Sequence, residues 1–298
     1  MERRAFGKTD MKVSVLGFGA AEIGFSEATP ETVDRLLGTA LDAGLNVIDT
    51  AECYNISEEL IGSTMSHRRD DYYLFTKCGH TSGLDGDDWD PAMLEQSIDR
   101  SLKRLKTDCV DTIHLHSCSE EVLRKGDVID VLRRAKEKGK TRYIGYSGDH
   151  TDALYAIKTG AFDTFETSVS IADQEAIDLT IPEALKREMG IIAKRPIANV
   201  AWNYQEKPEN GYYQEYWERF HKLEYSFLEG NLTEAVEKAL RFTLTVPGVH
   251  TAIVGTAKPD RWTQNAKLAG KGNLTEKEYK EIRSLFQKAA QSDWIGQV

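Results

Sequence analysis

Short apolar runs alternate with stretches of helical period from one end of the chain to the other. Eight of them read as strands: Val13–Phe18, Leu45–Asp49, Tyr72–Lys77, Val110–His116, Tyr143–Ser147, Phe162–Ser170, Ile191–Lys194 and Thr251–Val254. Each is a run rather than an alternation, the pattern of parallel strands covered by helices. Between them the period lengthens. Val33, Leu36, Leu37, Ala40 and Leu41 fall on one helix face, with Thr29 as cap, Pro30 at the first helical position and Gly44 beyond the end. Similar signals predict helices over 57–65, from Pro91 with Leu94, Ile98, Leu102 and Leu105 inward, and from Val122 to Gly139. Others cover 149–158, 181–189 and 233–244, and one starts at Pro259. Thr275 and Glu278 form a capping box for a final helix.

Eight strand–helix units in 298 residues predict an α/β fold, a (β/α)8 TIM barrel with an extra C-terminal helix, occupying residues 1–298 as one domain. The alternative, an open doubly wound sheet, lacks its Gly-x-Gly-x-x-Gly turn, because Gly17-Phe18-Gly19 runs on into Ala20, Ala21 and Glu22. Those glycines read as a tight turn at the rim. One segment, 198–230, exceeds the repeat and is rich in aromatics. Trp202 and Tyr204 directly follow a strand end and are its candidates for the rim. The part from Tyr212 to Leu228 has helical spacing, and its Tyr213, Trp217 and Phe220 read as packing.

Composition narrows the class. A hydrophobic fraction of 40% fills a substantial core. No apolar run approaches the roughly 20 residues of a membrane helix, and no apolar segment follows the basic start, so neither a membrane partner nor a secretory leader is expected. A net charge of -10 argues against nucleic acid. The four cysteines, Cys53, Cys78, Cys109 and Cys118, form no C-x-x-C pair and no disulfide framework, which suits a reducing cytoplasm.

Candidate chemistry gathers where strands run out. Asp49 ends one strand and Tyr54 follows in the next loop; Lys77 and His116 end two more. The C-terminal rim of a parallel barrel is where chemistry is placed. A Tyr beside a Lys, an Asp and a His is suited to lowering a phenol's pKa, which points to carbonyl reduction. His114 and His116 form an H-x-H pair whose period turns both to one side, an arrangement that holds zinc in hydrolytic barrels. The remaining ligands are not evident, since the nearest other histidine, His80, lies in a loop, so no metal is expected.

In this order the motifs resemble the aldo-keto reductases. The likeness begins with Phe6–Ser14, similar to that family's opening β-hairpin below the barrel, and continues through Asn46–Tyr54, Thr76-Lys77, Val110–His116 and Tyr143–Ser147. It ends with Ile253-Val254-Gly255-Thr256-Ala257-Lys258-Pro259-Asp260-Arg261 and Asn265. The resemblance implies NADPH across the rim, with Gly19 beside it, and a small carbonyl compound as substrate. It makes Tyr54 the proton donor, Lys77 the cation that acidifies it, Asp49 the partner of Lys77, and His116 a hydrogen-bond donor to the substrate oxygen. It assigns Gly255, Thr256, Lys258 and Arg261 to the adenosine 2′-phosphate, with Gln264 and Asn265 toward the adenine.

Around the nicotinamide the chain departs from the family. Ser147 matches a carboxamide contact, but Gly148 stands where Asn is usual and Glu166 where Gln is. Lys194-Arg195-Pro196 replaces a ring-stacking aromatic. Ser147 and Glu166 are expected to hold the carboxamide, and Lys194 or Arg195 to lie against the ring or the pyrophosphate. Substrate contacts are expected from loop 80–90 with Trp89, from Cys118, and from a tail containing Trp294. The same resemblance extends to potassium-channel β subunits, which leaves a cofactor-binding regulatory protein as the rival reading.

Overall fold

Strands that are apolar on both faces need cover on both, and a closed parallel sheet wrapped in helices provides it. The computed structural model describes residues 1–297 and has that architecture. A two-stranded hairpin, β1 (Arg3–Ala5) and β2 (Lys12–Ser14), precedes the barrel strands β3 (Leu16–Gly19), β4 (Val47–Asp49), β5 (Tyr73–Cys78) and β6 (Val110–His116). Then follow β7 (Thr141–Ser147), β8 (Thr164–Ser168), β9 (Gly190–Lys194) and β10 (Thr251–Val254). Strands β3 to β10 pair in sequence order, and β10 closes onto β3.

The helices form where the period and caps predict them. In Pro30–Asp42 the five residues of the expected face are buried, and the Thr29 side chain accepts from Thr32 N. Helix Pro91–Leu105 starts at Asp90, whose carboxylate accepts from Ala92 N (2.9 Å) and Met93 N (3.0 Å). Such a cap is worth roughly 1 kcal/mol. The predicted capping box opens Glu276–Ala289. Each fully buried Leu, Ile or Val adds about 1.5–3 kcal/mol.

The hairpin closes the N-terminal mouth. Phe6, Met11 and Val13 pack onto Val47, Phe75, Ile192 and Ile253, with Phe6 stacked on Phe75 at 5.7 Å. Gly7 makes the turn possible: its φ is +57°, and a Cβ would stand 2.4 Å from Glu188 O.

Four boundaries differ from the sequence reading. The run Val13–Phe18 is two strands, because Ser14 and Asn46 bond each other (Ser14 N to Asn46 Oδ1, 2.6 Å; Asn46 N to Ser14 Oγ, 3.1 Å) where a single ladder would continue. The helix expected from Val122 to Gly139 is split at Gly126 (φ +83°) into Glu120–Lys125 and Asp127–Glu137. The last barrel helix spans Arg261–Ala269, later than Pro259, since Thr256 Oγ1 accepts from Lys258 N (3.0 Å) and holds the preceding residues in a turn. In the long segment the helix ends at Phe220. Among the described residues no helix is long and apolar enough to cross a membrane.

Candidate active site

Parallel strands carry their terminal side chains to one rim, and register decides which of them meet. Gly19 pairs with Asp49, Lys77 with His114, His116 with Ser147, and Ser147 with Glu166. These pairs circle the floor of a cleft of about 440 Å³, lined by Gly19, Asp49, Tyr54 and Glu166 and reaching Lys258 and Arg261 on the far side.

On the floor, Lys77 Nζ donates to Asp49 Oδ2 and to Thr50 O (3.0 Å) and lies 3.4 Å from Glu166 Oε2. All three side chains are at most 2% exposed. Burial opposes the Lys77 charge, but Asp49 and Glu166 outweigh it and raise the ammonium above its ordinary range. Burial and then Glu166 push the Asp49 carboxyl up against the pull of Lys77. Burial also opposes the Glu166 charge, yet Lys77, His114 and Lys194 hold that carboxyl low.

Tyr54 lies over this group. Its ring centroid is 5.4 Å from Lys77 Nζ, and among the described residues no hydrogen bond joins that amine to the phenol. Burial raises the phenol above its ordinary value, Lys77 pulls it down, and Asp49 and Glu166 push it up; the net direction is upward. His116 meets the Tyr54 ring edge-on at 5.7 Å. Its imidazole stays neutral at pH 7, because burial and then Lys77 depress its pKa well below the usual histidine value. Cys53 Sγ lies 3.4 Å from His116 Nδ1, and burial pushes that thiol up to about 11.

A line of aromatic rings continues to the surface. Phe25 lies 5.9 Å from Tyr54, His80 lies 5.5 Å from His116, and Trp89 lies 5.6 Å from His80. The His80 ring is held by Asp88 (Nδ1 to Oδ2, 2.9 Å). Loop 80–90 with Trp89 therefore lies at the mouth. Cys118 is buried against the helices.

His114 lies deep in the barrel with Nε2 3.1 Å from Thr164 Oγ1. Its possible metal-binding companions are Asp49 and Glu166, whose ligand atoms all lie within 4.8 Å, and not His116. The cation among them is the Lys77 ammonium, which already bridges the two carboxylates.

At the other end of the cleft, Thr256, Lys258, Arg261 and Asn265 line the wall, while Gln264 is exposed outside it. Lys258 and Arg261 have no carboxylate partner within 4 Å among the described residues. Two unpaired cations at a helix N-terminus oppose its dipole, an arrangement an anion relieves. Near the floor, Ser147 Oγ and Glu166 Oε2 are buried on paired residues without hydrogen-bond partners. Gly148 brings no side chain to the cleft, since a Cβ there would stand 2.7 Å from the Tyr146 ring.

Beyond β9 the rim residues also have partners within the chain. Lys194 Nζ pairs with Asp149 Oδ2 (2.9 Å), and Arg195 donates to Ser168 Oγ (3.0 Å) and to the hydroxyl of Tyr212, although both still border the cleft with Pro196. That last bond draws the start of helix Gly211–Phe220 over the rim, so Tyr212 and Tyr213 line the cleft. Trp202 instead packs on Phe220 at 5.2 Å, and neither it nor Tyr204 lines the cleft. Sequence spacing missed Tyr213 because a residue at the start of a helix can face both the core and a neighbouring cavity. Ala198, Asn199 and Val200 are left-handed in succession (φ +40°, +54°, +55°), and the latter two line the cleft. Such a conformation costs of order 1–3 kcal/mol per residue and concentrates at functional sites.

Comparison with known proteins agrees with this geometry. The model of the Aldo/keto reductase family matches residues 15–287. An uncharacterised oxidoreductase of Bacillus subtilis is 28% identical over 95% of this chain and 96% of its own length. The L-galactose dehydrogenase of Arabidopsis thaliana is 32% identical over 70% of this chain and 69% of its own. Among solved structures, the holo form of an aldo-keto reductase from Bacillus halodurans superposes with a TM-score of 0.81 at 25% identity, covering 99% of each chain.

Proposed function

The chain belongs to the Aldo/keto reductase family, and from that premise we propose that it is an NADPH-dependent reductase of an aldehyde or ketone, with Tyr54 as the proton donor. The observation that carries the proposal is the continuity of one cleft from Asp49, Tyr54 and Glu166 to Lys258 and Arg261. The donor set fits a nicotinamide dinucleotide. Ser147 Oγ and Glu166 Oε2 lack hydrogen-bond partners, the latter having only the Lys77 ammonium at 3.4 Å, which suits a hydroxyl and a carboxylate that receive a carboxamide. Thr256, Lys258 and Arg261 suit a 2′-phosphate, and Asn265 suits an adenine. When bound, the reduced cofactor supplies the hydride.

The chain's own groups orient the substrate and supply the proton. Cys53, a thiol at neutral pH, is placed to donate to His116 Nδ1, and in that tautomer Nε2 is the protonated nitrogen of a neutral imidazole. That N–H is the donor that orients a carbonyl oxygen and stabilises charge forming on it. Tyr54, over Lys77, gives its proton to the same oxygen. Lys77 acts through its field, kept charged and aimed by Asp49 and Thr50 O. The ring line from Phe25 to Trp89 walls one side of the mouth.

The test is Tyr54→Phe, followed by NADPH absorbance with a panel of simple aldehydes. The expected result is a loss of about 10²–10⁴ in kcat/KM with NADPH affinity retained. Unchanged turnover would remove Tyr54 from the role. A wild-type protein that binds NADPH yet reduces nothing would favour the regulatory reading.

A further inference from the structure

Lys77 is shared by two carboxylates, although one would neutralise it. Asp49 takes its hydrogen bond, and Glu166 Oε2 stands 3.4 Å away from the opposite side of the barrel. Asp49 Oδ1 and Glu166 Oε2 are buried without hydrogen-bond partners, so the ammonium is the chief compensation for both charges. We propose that Glu166 is a second counter-ion of Lys77, a positioning residue that weakens the ammonium's pull on the Tyr54 hydroxyl and keeps the donated proton on Tyr54 into alkaline solution. The inference rests on Tyr54 being the proton donor.

With both carboxylates ionised, against the burial and the Glu166 charge that push Asp49 up, Asp49, Lys77 and Glu166 together carry one net negative charge before the phenol ionises. A phenolate beside them would be a third anion facing one cation among buried carboxylates, and neighbouring like charges disfavour ionisation. With glutamine at 166 the same group would be neutral, and Lys77 would favour the phenolate unopposed.

The remaining groups do not cancel the effect. From β6, His116 and His114 are both held neutral by burial. From β9, Lys194 faces Glu166 but is tied to Asp149, and Arg195 is engaged by Tyr212 and Ser168. Cys53 is a thiol until about pH 11 and beyond that adds to the anionic side, His80 at the mouth pairs with Asp88, and Glu52 is compensated by Arg100 and Arg104. Glu58 lies behind Thr76 and takes up its proton in the neutral range, so at alkaline pH it adds only to the anionic side.

The experiment titrates Tyr54 in the purified protein by tyrosinate difference absorbance, subtracting the Tyr54→Phe variant, in wild type, Glu166→Gln and Glu166→Asp. The pH dependence of kcat/KM for carbonyl reduction is recorded beside it. Glu166→Gln is expected to bring Tyr54 ionisation and the alkaline fall in kcat/KM down by about one pH unit or more, with Glu166→Asp staying near wild type. A Glu166→Gln midpoint within half a unit of wild type, or no Tyr54 ionisation below about pH 11.5 in either protein, overturns the proposal. The absorbance reads the phenol without turnover. If Tyr54→Phe proves fully active, the proton-donor reading fails while the titration still decides whether Glu166 governs the phenol.

Discussion

The two mouths of this barrel bury their side chains by opposite means. At the N-terminal mouth, Phe6, Met11 and Val13 of the hairpin meet the apolar Val47, Phe75, Ile192 and Ile253, with the His250 ring edge-on to Phe6. At the C-terminal mouth, Asp49, Lys77 and Glu166 are just as inaccessible but charged. The first arrangement gains stability with every methyl group removed from water. The second holds charges whose desolvation is repaid only while each keeps its partners, so it is weak evidence for stability and strong evidence for a task. The plug can lose shape and leave chemistry intact, whereas the charged floor cannot lose a member without affecting both.

The largest test of that contrast is Lys77→Met. It leaves Asp49 and Glu166 facing each other without a cation, and stability should fall by about 3–5 kcal/mol in chemical denaturation, with reduction abolished. Retained stability would mean that the two carboxylates share a proton and need no ammonium. Next is Gly7→Ala at the opposite mouth, where a Cβ meets backbone at 2.4 Å in a left-handed turn. A loss of about 2–3 kcal/mol is expected with kcat per folded molecule unchanged. A comparable fall in kcat would show that the plug reaches the site.

Arg261→Ala probes the exposed end of the cleft. Loss of a charge-assisted bond of about 1.5–3 kcal/mol should weaken NADPH more than tenfold and leave NADH nearly unchanged; equal losses would show that Arg261 does not read the phosphate. The smallest effect concerns Glu58, whose carboxyl burial raises to about 7 although it accepts from Thr76 Oγ1 (2.7 Å). Because the folded state binds this proton more tightly than the unfolded chain, stability falls as pH rises from the unfolded value of 4.5 toward 7 and stays lower above it. Glu58→Gln should remove part of that fall, raising stability at pH 8 by about 1–2 kcal/mol and changing little near pH 4. An identical pH profile in both proteins would mean that Arg104, 3.8 Å from Oε2, keeps Glu58 ionised.

Much of the scaffold was legible in the chain. Thr29-Pro30, Asp90-Pro91 and the Thr275–Glu278 box mark helix starts because caps act over three or four residues. Asp49, Lys77 and His116 were readable as rim residues because each ends an apolar run. The break at Ser14 was not, since it depends on Asn46, 32 residues away. Tyr213 reads as packing because nothing nearby in sequence reveals that Arg195 draws its helix over the cleft. Glu166 was readable as a departure at a carboxamide contact, but its approach to Lys77 was not.

By itself, then, the order of residues determined the alternation of strands and helices, the caps, and the set of polar groups delivered to one rim, because each follows from interactions within a few positions. Closure of the barrel decided which of those groups share a charge. It places Glu166 and Lys77, from strands that are not neighbours in the sheet, 3.4 Å apart. Burial then makes that proximity matter, since a charge without water to screen it answers to whatever charge the fold sets beside it.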